Sequence, residues 1–106
     1  MNKVTETTIN ELTDIFEKIH EILLREKEDN WIRGINSIRD RLHKAKTSGS
    51  NIDEIYKDVG ASYRYMNSGA GSFADFMVWR DDFDERLRLN QEFEVLADKA
   101  WKLLDL

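Results

Sequence analysis

His20 and His43 are the chain's two histidines, the side chains whose charge changes near neutral pH and from which acid–base or metal chemistry would start. Glu17 and His20 have the Glu-x-x-His spacing that aims both groups from one helical face, as helical two-metal carboxylate sites require. Such a site needs a second Glu-x-x-His pair, and none occurs. His20-Glu21 lacks the second histidine four residues on that a zinc-protease helix carries. The simpler reading places both histidines on solvated helix surfaces. Asp81, Asp82, Asp84 and Glu85 crowd four carboxylates into five positions. A pair of them could exchange protons with a substrate, but at a helix start acidic side chains answer the positive end of the helix dipole. Gly69-Ala70-Gly71-Ser72 has the look of a phosphate loop without its Gly-Lys-Ser/Thr ending or a preceding strand. There is no cysteine, which excludes a thiol nucleophile, a thiolate zinc site and a disulfide framework. No catalytic residue, metal or cofactor is expected.

The charge balance points away from nucleic acid. Sixteen basic against 21 acidic residues leave a net charge of −5, whereas phosphate binding demands a basic face. The charge is uneven: −4 over residues 1–29, +3 over 30–72 and −4 over 73–106. At 106 residues, 41% of them hydrophobic, one domain spanning 1–106 is expected. Met1 to Thr8 has no basic-then-apolar leader. The longest apolar runs, such as Ile22 to Leu24 and Phe76 to Trp79, fall far short of the roughly 20 residues of a membrane span. A soluble, cytoplasmic protein without a membrane partner is the expectation.

The elements that position these residues read as helices. Ile9, Leu12, Ile15, Phe16, Ile19, Ile22 and Leu23 recur in steps of three and four, one face of a helix. Thr8 and Glu11 form a capping box at its start, and the helix should run to about Lys27. Asn30 is the expected N-cap of a second helix, with Trp31, Ile35, Ile38, Leu42 and Ala45 as its apolar seam. Gly34 within it would admit a close backbone approach. A turn over 47–51 leads to a third helix started by Asn51 and Glu54, turning Ile52, Ile55, Tyr56, Val59 and Tyr63 inward. Gly69 or Gly71 should take a left-handed conformation, with Ser72 and Asp75 as a second capping pair and a short helix from Phe73. A strand through Phe76–Trp79 is the alternative for that run. Asp82 and Glu85 cap a last helix, expected to turn Phe83, Leu87, Phe93, Leu96, Ala97, Ala100, Trp101 and Leu104 inward. The expected architecture is all-α: a compact bundle of four or five helices with a glycine-rich turn before the C-terminal helices.

Tyr63-Arg64-Tyr65-Met66-Asn67-Ser68-Gly69-Ala70-Gly71-Ser72-Phe73-Ala74-Asp75-Phe76 resembles a segment of short bacterial helical proteins that carry Gly-x-Gly-Ser-Phe-x-Asp, an apolar run and a final helix. Asn90, Phe93 and Leu96 are similarly arranged in that helix, whereas Ala74 stands where an amide is commoner. The resemblance spans roughly residues 60–105. Some proteins of this kind are immunity proteins of contact-dependent or polymorphic toxin systems, so it implies an inhibitor of a cognate toxin. Arg39-Asp40-Arg41-Leu42-His43 also resembles the arginine–histidine motif of helical (HEPN-class) ribonucleases, with one residue too few between arginine and histidine.

An acidic inhibitor suits a basic, nuclease-type toxin, because complementary charge speeds association. The expected partner surface is the acidic start of the last helix, Asp81, Asp82, Asp84 and Glu85, beside Trp79 and Tyr65, since Tyr and Trp are enriched at interface hot spots. Mutual repulsion of the four carboxylates would be relieved by a basic partner. The alternative function is a helical adaptor or regulatory protein binding another protein; a helical ribonuclease is the third.

Overall fold

The computed structural model describes residues 4–47, 51–69 and 71–106. Within them the chain is all-helical: α1 (Glu6–Arg25), α2 (Ile32–Thr47), α3 (Ile52–Met66), a single 3₁₀ turn (Phe73–Asp75) and α4 (Phe83–Leu103). α1 packs along α2 and along α4, and α2 packs along α3. Among the described residues no helix is long and apolar enough to cross a membrane.

α1 is central because its apolar stripe is complete. Ile9, Leu12, Ile15, Phe16, Ile19, Ile22 and Leu23 are all buried, as steps of three and four require. Its cap is Thr5 rather than Thr8: Thr5 Oγ1 accepts from the Thr8 N–H at 3.3 Å, so the helix begins a turn earlier than the capping-box pattern indicates. It stops at Arg25, where Lys27 takes a positive φ of 56°. α2 likewise starts at Ile32, and Asn30 sits in the preceding turn with its N–H donating to Glu28 Oε1 at 2.8 Å. Gly34 faces a side chain rather than a backbone, since a Cβ there would lie 2.9 Å from Met66 Sδ. The expected turn over 47–51 lies mostly outside the described residues. Asn51 caps α3 as its position indicates, accepting from the N–H groups of Asp53 and Glu54 at 3.1 and 3.3 Å.

The glycine turn serves packing. Gly69 and Gly71 have φ of 84° and 75°, a region that a Cβ disfavours; position 70 lies outside the described residues. Asp75 Oδ2 accepts the Gly71 N–H at 2.6 Å, and Ser72 Oγ accepts the Ala74 N–H at 3.3 Å. The turn thereby drives Phe73 into the core, 1% exposed, with ring centroids 5.8 Å from Trp31, 6.3 Å from Tyr63 and 5.5 Å from Phe93. The capped element is only a 3₁₀ turn.

Residues 76–80 are neither strand nor helix, and their backbone is satisfied by a side chain. Asn90 on α4 accepts the Val78 N–H through Oδ1 at 2.8 Å and donates Nδ2 to the Val78 carbonyl at 2.8 Å. A carboxamide thus stands where a neighbouring strand would pair. Asp82 caps α4, accepting from the Glu85 N–H at 2.8 Å. The buried face of α4 runs through Leu89, Phe93, Ala100 and Leu104. Three residues assigned inward depart from it: Phe83 is 62%, Leu87 48% and Trp101 37% exposed. At 3.6 residues per turn each stands about 80° or more around the helix from Phe93, off the face that α1 covers.

Candidate partner-binding site

Two clamps hold residues 76–80 against the helices and fix what that segment presents. Asn90 is the first. The second is Arg80, whose guanidinium meets both oxygens of Glu26 at 2.7 and 2.8 Å, the Trp79 carbonyl at 2.7 Å and Glu85 Oε1 at 3.2 Å. The Glu26 side chain is 10% exposed, and the hydrogen bonds from Arg80, joined by those from Arg25, pull its carboxyl down to about 2. Bidentate arginine–carboxylate geometry fixes direction as well as charge. The 76–80 segment is thereby anchored to the end of α1, 54 residues away in sequence.

Between the clamps the alternate side chains face outward. Met77 is 63% and Trp79 64% exposed, beside Phe83 and Leu87 on the first turns of α4. Arg86 lies between the aromatic rings, its guanidinium carbon 4.3 Å from the Trp79 centroid and 5.3 Å from that of Phe83. The stacked cation orients the indole. A groove of about 400 Å³ runs alongside, lined by Phe76, Met77, Phe83, Arg86, Leu87 and Asn90 among others. Exposed Trp, Phe, Met and Arg on a braced backbone form the composition that dominates protein-interface energetics.

The carboxylates of this region have separate employments. Asp82 is the helix cap and Glu85 binds Arg80. Asp81 and Asp84 are exposed and form no ion pair among the described residues. Arg80 precedes the four carboxylates and Arg86 and Arg88 follow them, so the repulsion expected from the acidic run is already offset within the chain. The patch is aromatic and arginine-rich with a thin acidic rim. Trp79 and the carboxylates do come together. Tyr65 does not join them: it lines a groove with Gly60, Leu104 and Leu106, about 27 Å along α4 from Arg86 at 1.5 Å per residue.

One histidine, His43, takes part in a tie between α1 and α2. Arg39 donates Nε and Nη2 to the two Glu17 oxygens at 3.1 and 2.9 Å and Nη1 to Asn36 Oδ1 at 2.8 Å, and His43 Nε2 lies 3.3 Å from Glu17 Oε1. The bond from Arg39 holds the Glu17 carboxyl below its ordinary value, and burial chiefly lowers His20. His43 is exposed as expected, whereas His20 is half-buried. Arg39 and His43 therefore converge on a carboxylate that neutralises the arginine, so this guanidinium is already occupied where a phosphate would need it. Among the described residues no group of three or more His, Asp or Glu is placed to hold a metal.

Sequence reasoning missed Met77, Phe83, Leu87 and Arg86 as parts of the patch. The signal was the spacing Phe83, Arg86, Leu87, Asn90, a second helical stripe beside the core stripe. No protein-family model, curated protein or solved structure matches the chain.

Proposed function

We propose that this chain is a non-enzymatic, cytoplasmic immunity protein that binds a cognate bacterial toxin and covers its working surface. One observation carries the binding reading: the exposed Trp79–Arg86–Phe83 stack, with Met77 and Leu87, on a segment braced by Asn90 and Arg80. Met77, Trp79, Phe83 and Leu87 are each about half exposed or more, which forgoes a good part of the roughly 1.5–3 kcal/mol that full burial of such a side chain yields and that a partner recovers. The Gly-x-Gly-Ser-Phe-x-Asp resemblance supplies the immunity reading. The net charge of −5 favours a basic partner, such as a nuclease domain, with Asp81 and Asp84 guiding its approach.

The test is co-expression with the product of the gene directly upstream. The reading expects a stable complex and rescue of growth, with the Trp79 face protected from hydrogen exchange in the complex. A toxin that neither co-purifies nor is neutralised refutes immunity. A complex that protects a different face refutes the site while leaving immunity intact. Binding to a non-toxic protein instead would favour the adaptor reading.

A further inference from the structure

Residues 76–80 carry the pattern of a β-strand that has no partner strand. Burial alternates along them: Phe76 is half-buried, Met77 exposed, Val78 buried, Trp79 exposed and Arg80 half-buried, the period of two of an extended chain. Phe76 is extended, with φ −60° and ψ 133°. Asn90 engages both the N–H and the carbonyl of Val78. In an extended chain those two groups leave by one edge, and the groups of the residues on either side leave by the other. One edge is therefore closed by a side chain of α4. On the opposite edge the Met77 N–H, the Met77 carbonyl and the Trp79 N–H make no hydrogen bond among the described residues. The Trp79 carbonyl accepts from Arg80 Nη1 at 2.7 Å and keeps a second lone pair. Asn90 and Arg80 anchor the segment, so the edge is formed before anything pairs with it.

An unpaired edge is a template for another strand. The segment that fits it is its own copy, run antiparallel. With the two Val78 residues opposite each other, Met77 faces Trp79 of the second copy and Trp79 faces its Met77. Each of these pairs exchanges two backbone bonds, so four close together. No other register of residues 76–80 pairs both Met77 and Trp79. Side chains directly opposite lie about 5 Å apart, which sets each Met77 thioether against an indole, a favourable sulfur–aromatic contact, and each Arg80 opposite a Phe76. Asp75 and Asp81 come next in line and would oppose each other, which confines the pairing to these five residues. We propose that two copies of the chain pair through residues 76–80 as a two-stranded antiparallel ribbon. The contact is isologous, so it closes as a symmetric dimer. It is weak, since the ribbon is short. This inference does not rest on the toxin reading.

Sedimentation from micromolar to millimolar concentration, with amide hydrogen exchange on the same samples, tests it. The average mass should rise to twice that of the chain and stop, and the Met77 and Trp79 amides should gain protection as it rises. Met77→Pro removes an N–H that pairs across the ribbon and breaks no hydrogen bond of the single chain. It also fits the backbone, because the ψ of Phe76, 133°, is that of a residue before proline. Met77→Ala loses the same side chain but keeps the N–H. The proline variant should associate roughly tenfold or more weakly than the alanine variant, since two of the four bonds are gone. A chain that stays monomeric at millimolar concentration overturns the proposal, as does a mass that grows past the dimer. So does equal association of two folded variants. A dimer whose Met77 and Trp79 amides exchange as fast as in the monomer overturns it whether or not the proline variant folds. Protection of those amides only when the upstream-encoded toxin is added gives the edge to that partner and overturns pairing between copies.

Discussion

α1 and α4 are nearly equal in length, 20 and 21 residues, but they use their apolar side chains differently. α1 lies between α2 and α4 and buries seven large apolar residues, leaving only Leu24 open. α4 has α1 as its main helical neighbour; it buries Leu89, Phe93 and Ala100, and leaves Phe83, Leu87, Val95 and Trp101 partly or largely exposed. Apolar spacing shows which residues share a face, while the number of neighbouring elements decides which faces are covered. The uncovered stripe at the start of α4 stays in water beside a segment that Asn90 and Arg80 hold in place.

The contrast breaks most visibly in the core of α1. Phe16→Ala removes a buried ring in edge contact with Tyr63 at 5.3 Å and should cost about 4 kcal/mol in chemical denaturation. A much smaller loss would mean that α1 is not the organising helix. Next comes the brace under the exposed segment. Asn90→Leu keeps the branched shape but leaves the Val78 N–H and carbonyl without their partner, a loss of about 2 kcal/mol read in the same denaturation experiment.

The Glu26–Arg80 clamp should show as a pH dependence. The folded Glu26 carboxyl lies near 2 against an ordinary 4.5, so in that window the unfolded chain binds more protons. Its contribution is therefore present above about pH 5 and lost as the pH falls toward 2. Discounted for the solvent around Arg80, this is on the order of 1 kcal/mol. Glu26→Gln should flatten the stability profile below pH 5, and an unchanged slope would remove the clamp from the account. The smallest effect belongs to the exposed stripe, where Leu87→Ala should change stability by no more than about 0.5 kcal/mol.

Much of this was legible in the sequence. The stripe from Ile9 to Leu23, the Asn51 and Asp82 caps and the two positive-φ glycines follow from local rules, because each depends on residues a few positions apart. The exposed face of α4 was only half legible. Trp79 stands out by its type and its place beside the acidic run, but Phe83 and Leu87 continue an apparent core stripe, and nothing local says that no helix covers them. Asn90 pairing with Val78 and Arg80 reaching Glu26 join distant positions through side chains, which no periodicity encodes. Tyr65 is near Trp79 in sequence, whereas the fold places it in the groove with Gly60, Leu104 and Leu106, a grouping that no local rule indicates.

The central claim is that the Trp79–Phe83 face serves binding and not folding. Its most direct test measures melting temperature and toxin dissociation on the same preparation of Trp79→Ala/Phe83→Ala. The melting temperature should stay within a few degrees of wild type, and dissociation from the upstream-encoded toxin should accelerate roughly 30-fold or more, the equivalent of about 2 kcal/mol at a hot spot. A folded double variant that releases the toxin at the wild-type rate would contradict it.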